Sequence, residues 1–366
     1  MSEIDIITIL KSIPPHVLTS ALIYYYKNKV DTTTPNKLLK DYEMKSNFFR
    51  NSKISLRESA NNTLLFLDCL PNTYNAVDLS PISPLGSNSI ITSISQNNVL
   101  STIRNSEVCA DPTTALVLEA CLRRKESRKK ENNEINMATV TRVVRMQKFD
   151  NPHFLQHFSL LALASVYYTK FDRIESYKKI IEHISIYIDF LFHMNTKDYS
   201  IKDIELLLSS IQIQQEIINT LPANKQQELK RHSLDDCYDF FVENNIDCPS
   251  IIYSEDIINN ICTKIFSIDK QHNFSCFIKM IFNDIIYDLK AKYPDIKIGF
   301  DLSRKAGMGY YKDICFHLNA KNNNGETYTL ADGGEANWGA LLLSDMKERT
   351  IVSGLGLEIT QQCFRK

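Results

Sequence analysis

The stretch from Ile298 to Glu358 restricts what this chain can fold into more than any other part of it. Ile298 to Leu302 is a short apolar run, and Tyr310 to Leu318 is rich in aromatic and branched residues, so both favour strands. Asn322 to Gly325 reads as the turn between two strands, because Asn and Gly tolerate the positive φ of a tight hairpin. Thr327 to Ala331 is then the returning strand. Asp332-Gly333-Gly334 is expected to break it, a helix is expected over Ala336 to Lys347, and Thr350 to Leu357 closes as a glycine-punctuated strand. The order predicts an α+β fold, a mixed and mainly antiparallel sheet flanked by helices. Glycines and the Tyr310–Tyr311 pair fall at its turns, where a ligand can approach the backbone closely.

Upstream, residues 1–60 carry helical periodicity, and the tyrosines at 24 to 26 read as packing residues on it, the alternative being a ligand box. Thr63 to Leu70 is an apolar run ended by Pro71, expected as a strand. Ala76 to Gln96 is dense in Pro, Ser and Gly, either a shaped binding loop or a plain surface linker. Val99 to Val108 reads as a strand bearing Arg104 and Glu107. Asp111 is then an N-cap and Pro112 a first-turn residue of an apolar helix. Capping alone explains Asp111, although a helix N-terminus with its exposed amides also suits a charged ligand group.

Thr139 to Met146 alternates and is β-branched, Lys148 to Gln156 has turn chemistry, and Phe158 to Ala164 is a second apolar strand. This hairpin carries Arg142, Arg145, Gln147 and Phe158. Arginine suits phosphate because it stays charged and its fork matches two oxygens; the alternative is a pair of solvated strand arginines. Between 165 and 294 the pattern is mostly helical, with three-to-four spacing over Asp203 to Ile218, Ile257 to Ile268 and Phe274 to Tyr293. No His/Asp/Glu grouping has metal-ligand spacing, and neither a P-loop nor a nucleophile elbow is present.

Taken in order, these pieces resemble the catalytic core of class II aminoacyl-tRNA synthetases, and among them histidyl-tRNA synthetase and the regulatory subunit of ATP phosphoribosyltransferase. The matching positions are Asp301-Leu302, Gly307 to Tyr311, Phe316, Gly333-Gly334 and Gly354 to Glu358, with Ala110 to Thr113 resembling the loop that holds the substrate amino group. The resemblance implies substrate contacts from Arg104, Glu107, Asp111, Thr113, Tyr310 and Tyr311. It makes the 139–164 hairpin similar to the second class motif, with Arg145 on the ATP α-phosphate as the catalytic residue, Phe158 stacking on adenine, and Arg142 and Gln147 beside them; His153 and His157 stand where a loop arginine is expected. Residues 1–60 become an N-terminal helical segment, 61–164 and 295–366 the two parts of the core, and 165–294 a helical insertion.

Three departures bear on activity. Ile359 follows Glu358 where the third motif ends in arginine, Ala306 stands where arginine precedes the glycine, and Gly309 replaces an aspartate before the tyrosine pair. Only eight residues follow Glu358, so no anticodon-binding domain is expected there. The resemblance therefore implies a protein that uses ATP, with Mg²⁺, to activate an amino acid or small carboxylate as an acyl-adenylate without charging tRNA on its own. Its alternative is a degenerate amino-acid-binding regulatory subunit. Class II cores pair, which implies a homodimer, with a partner enzyme or acyl acceptor beyond it.

Charge and cysteine usage set the remaining expectations. The 42 basic and 43 acidic residues nearly cancel, leaving no global drive toward nucleic acid. Nine cysteines are scattered without a CxxC pair, which favours a reducing compartment. With no basic leader before Pro14-Pro15 and no long apolar span, a cytoplasmic protein is expected, with no membrane segment.

Overall fold

A computed structural model describes residues 3–366, apart from 93, 128–133, 148, 150–153, 170–172 and 232–235. His153 lies outside the described residues. The chain divides into two compact units. The first comprises Met1–Lys53, Ser80–Asp111 and Arg142–Phe158; the second comprises Ile54–Leu79, Pro112–Thr141 and Ser159–Lys366.

The strands are β1 (Tyr74–Ala76), β2 (Ile82–Pro84), β3 (Ser106–Val108), β4 (Ile135–Val144), β5 (His157–Tyr168), β6 (Lys202–Ser210), β7 (Ile251–Ile252), β8 (Lys297–Asp301), β9 (Ile314–Lys321), β10 (Thr327–Ala336) and β11 (Glu348–Gly356). Nine of them form one sheet in the order β1-β4-β5-β11-β10-β9-β6-β8-β7, and β2 pairs with β3 separately. The β1–β4 and β6–β8 pairs are parallel. The pairs from β5 through β11, β10 and β9 to β6 are antiparallel, as is β7–β8. The fold is α+β with a mainly antiparallel sheet.

The two faces of this sheet differ in chemistry. Strand side chains alternate between faces, and the observed register puts Leu163, Ser353, Gly333, Phe316, Leu208 and Phe300 on one side. That side is covered by the helix Arg173–Asn195 and by the helical run Ile268–Ile281, Phe282–Ile286 and Tyr287–Lys292. Tyr187, Ile188, Leu191, Phe282 and Ile285 are fully buried against it. Burial of this kind stabilises by about 25 cal/mol per Å² of apolar surface, which makes this face the main source of stability. The opposite side carries Ala162, Gly354, Asp332, His317 and Leu207 in register, small or polar except for Leu207. Asp332, His317 and Gly354 there keep partial exposure although their strands are internal to the sheet.

Several local expectations are corrected. Thr63 to Leu70 is not a strand: up to Asp68 it belongs to the helix Leu56–Asp68, whose N-cap Ser55 accepts from the Glu58 amide at 3.2 Å and whose Asn62 and Phe66, four apart, are buried on one side. A short apolar run does not distinguish strand from helix by period alone. Lys202–Ser210 is a strand, and only Ile211–Asn219 is helical, started by the Ser210 hydroxyl. Leu206 and Leu208 are both fully buried, so pairing with β8 and β9 overrides the helical pattern. Asp332-Gly333-Gly334 does not break β10: an added Cβ on Gly334 would lie 2.6 Å from the Ile314 carbonyl oxygen, so the glycine permits close strand pairing. The helix after it is only Trp338–Leu343, ended by Ser344 in the left-handed region at φ 52°. Of Val99 to Val108, only Ser106–Val108 forms a strand.

In the first unit the helices Pro15–Asp31 and Pro35–Met44 bury no residue, and Tyr24 is 68% exposed. The tyrosines at 24 to 26 are therefore surface residues, contrary to the packing expectation. Among the described residues, no single helix is long and apolar enough to cross a membrane.

Candidate functional site

The residues singled out from sequence fall into two groups, one in each unit. Arg104, Glu107, Asp111, Arg142, Arg145, Gln147 and Phe158 belong to the first; Thr113, Tyr310 and Tyr311 belong to the second.

In the first unit, Arg145 lies just beyond the end of β4, where its amide donates to the Gln156 carbonyl at 2.8 Å. Its Nε donates to the Ala110 carbonyl at 3.2 Å, and the guanidinium lies over the Phe158 ring at 5.3 Å. Phe158 in turn meets Phe149 edge-on at 5.8 Å. This pairs a half-buried fixed cation with an aromatic plane, a combination able to take a phosphate beside a planar base. Arg142 is exposed and tied across the hairpin, donating to His157 Nδ1 at 2.8 Å and to the His157 carbonyl at 3.2 Å. His157 Nε2 donates to the Arg50 carbonyl at 2.6 Å, so that ring is a brace. Gln147 is exposed.

Glu107 is fully buried, and its oxygens accept from the Gly86 amide at 2.8 Å, the Asn88 amide at 2.8 Å and the Gln96 side chain at 2.9 Å. Burial opposes its charge, but these donors outweigh it and hold the carboxyl below its ordinary range. The expected substrate contact is thus replaced by a structural one: Glu107 fixes its own loop. Arg104 is exposed on a turn, followed by Asn105 at φ 57°. Asp111 is 8% exposed, immediately before the helix Pro112–Glu126.

In the second unit, Thr113 in the first turn of that helix shares a 3.0 Å hydrogen bond with the Tyr310 hydroxyl. The Tyr310 ring stands edge-on between Tyr311 at 4.8 Å and Trp338 at 4.9 Å. Both tyrosines lie on a turn rather than in a strand, with Gly307 at φ 88° and Gly309 at φ 85°. Tyr311 points its hydroxyl into the sheet and donates to Asp332.

Sequence reasoning missed the group beneath them. Arg304, 3% exposed, donates through Nε to the Ala306 carbonyl at 2.9 Å, through Nη1 to His317 Nδ1 at 3.1 Å, and through Nη2 to Asp332 at 2.5 Å. Because an arginine only donates, His317 carries its proton on Nε2. Burial, reinforced by Arg304, holds that imidazole down at about 3, so it is neutral near pH 7. Burial also pushes the Asp301 carboxyl up to about 6, while it accepts from the Ser303 and Arg304 amides at 2.8 and 3.0 Å. Counting outward from the Asn322 to Gly325 turn sets Asp332 opposite Phe316; an irregularity between Thr329 and Ala331 shifts the register by one and puts it opposite His317, which the sequence does not signal. Among the described residues no group of three or more His, Cys, Asp or Glu side chains is arranged to hold a metal ion.

No protein-family model matches this sequence, and no curated protein matches it. Solved structures do. The ATP phosphoribosyltransferase regulatory subunit/histidyl-tRNA synthetase from Bacillus halodurans superposes with a TM-score of 0.61 at 12% identity, over 87% of this chain and 83% of that one. A histidine–tRNA ligase subunit from Alicyclobacillus acidocaldarius gives 0.60 at 9% identity, over 85% and 94%. Histidyl-tRNA synthetase from Nostoc sp. PCC 7120 gives 0.57 at 12%, over 85% and 72%. Together with the two-faced sheet, these likenesses establish that the chain has the fold of a class II synthetase-like core.

Proposed function

We propose that this protein activates an amino acid or small carboxylate with ATP as an acyl-adenylate, without charging tRNA on its own. The observation that carries the reading is the Arg145 guanidinium held over Phe158 at the end of β4. In the reaction a substrate carboxylate oxygen bonds to the α-phosphorus as the bond to pyrophosphate breaks, and pyrophosphate leaves with its electron pair. Arg145 stabilises the charge that develops on the phosphate oxygens, and Phe158 offers its ring to the base. Asp111, Thr113 and the Tyr310–Tyr311 turn are the substrate-binding candidates, and Gln147 lies beside the nucleotide. The Mg²⁺ that accompanies ATP would neutralise phosphate charge; no protein ligand for it is assigned. A cytoplasmic homodimer working with an acyl acceptor completes the reading.

A second reading is a regulatory, amino-acid-binding subunit that acts on a partner enzyme. It is favoured by Ile359, which packs against the core in the helix Leu357–Cys363, where the resemblance calls for a phosphate-binding arginine. Isotope exchange between pyrophosphate and ATP across an amino-acid panel decides between them. Under the first reading one amino acid supports exchange, and Arg145→Ala lowers its rate by about 10²–10³. No exchange, with an amino acid still raising the melting temperature, selects the second; exchange unaffected by Arg145→Ala removes the assigned role of Arg145.

A further inference from the structure

We infer that the floor of the substrate-binding face selects a ligand whose side chain ends in an ammonium or guanidinium group, with Asp332 as the residue that receives it. The inference rests on the reading that this face of the sheet takes the substrate.

The argument is one of charge and exposure. The Arg304 side chain is 2% exposed, whereas that of Asp332 is 42% exposed. Arg304 also spends Nε, Nη1 and Nη2 on Ala306, His317 and Asp332. The cation is thus sealed behind the carboxylate, and the carboxylate is what a ligand meets. A further acid lies on the Arg304 side: Asp301 is 4% exposed and accepts from the Ser303 and Arg304 amides. Besides Asp332, which the guanidinium bonds, Asp301 adds negative charge close to Arg304. The nearby Lys305 ammonium donates to the Leu229 carbonyl at 2.7 Å, and His317 is neutral. A carboxylate in such surroundings attracts a permanent cation far more than a neutral amide.

There is also room beside it. Gly354 is the cross-strand neighbour of Asp332, and a Cβ added there would meet only the Leu161 carbonyl oxygen, at 3.6 Å. The Tyr311 hydroxyl fixes one Asp332 oxygen and Arg304 the other, so the carboxylate is oriented before any ligand arrives.

The test is titration of the full-length protein, by thermal shift and calorimetry, with lysine against norleucine, arginine against citrulline, and histidine. Lysine or arginine is expected to bind at least about tenfold more tightly than its neutral counterpart. Asp332→Asn should remove that preference while leaving the neutral member unchanged. Gly354→Leu, which keeps the carboxylate but fills the space beside it, should abolish binding of both, and it covers the case in which Asp332→Asn fails to fold. Equal affinity within both pairs, histidine binding as tightly as lysine and arginine, no binding by any member, or Asp332→Asn weakening both members alike would each overturn the inference. Pyrophosphate exchange separates this from the proposed function. Selective basic binding without exchange leaves the cation site standing and removes adenylation, whereas exchange with a neutral amino acid, unaffected by Asp332→Asn, does the reverse.

Discussion

His183 is the clearest case of a single residue on which the fold depends. It is fully buried on the helix Arg173–Asn195, with Nδ1 2.8 Å from Ser353 Oγ and Nε2 3.0 Å from Ser165 Oγ. Ser353 donates onward to the Tyr187 hydroxyl, so the consistent assignment has the ring donating through Nδ1 and accepting at Nε2. Burial pushes its pKa from 6.5 down to about 3. A lowered pKa on a base means that the unfolded chain binds the proton first. The stabilisation is therefore complete above pH 6.5 and is lost as pH falls toward 3, at about 1.4 kcal/mol per pH unit. Asp301, raised to about 6, works in the opposite sense, since its folded form takes up a proton first. The difference between parent and His183→Gln isolates the histidine: denaturant unfolding should show the parent losing about 2 kcal/mol more than the variant between pH 6.5 and 5. At this scale residue type carried part of the site. Arg145, Phe158 and Tyr310 are candidates that chemistry and order single out. Arg304 and Asp332 were not, because a loop arginine meets a strand aspartate only once the β9–β10 register and the Gly307 turn are known.

At the scale of elements, glycine placement makes a sharp contrast. Gly334 sits where an added Cβ would press on the Ile314 oxygen at 2.6 Å and on Cys315 Cα at 2.7 Å. Gly354 on the adjacent strand would bring an added Cβ only into ordinary contact with the Leu161 carbonyl oxygen, at 3.6 Å. Gly334→Ala is expected to destabilise by about 1–3 kcal/mol and Gly354→Ala to stay within about 0.5 kcal/mol of the parent, as read by chemical denaturation. Equal effects would mean that β9 and β10 do not approach as described. Element type was legible wherever length or turn chemistry was decisive, as in the Asn322 to Gly325 hairpin and the helix from Pro112. It failed at β6 and at Thr63 to Leu70, two short apolar runs whose conformation is set by what buries them.

For the whole molecule, the α+β class and the synthetase-like arrangement were legible because the order of pieces survives where individual letters have changed. The division into units was not, since the first unit draws on three separate stretches of chain. If the proposed pairing of cores holds, sedimentation equilibrium should give twice the 42.1 kDa chain mass at micromolar concentration; a monomer there would remove the homodimer from the proposal. The position of β11 has a consequence for synthesis. It follows every other described strand in the chain, yet it lies between β5 and β10. A nascent chain must therefore leave the ribosome with two inner sheet edges unpaired, and until β11 arrives those edges are open to neighbouring chains. A chain truncated before Glu348 is therefore expected to aggregate rather than to fold as a smaller domain, which light scattering of the refolded fragment would check.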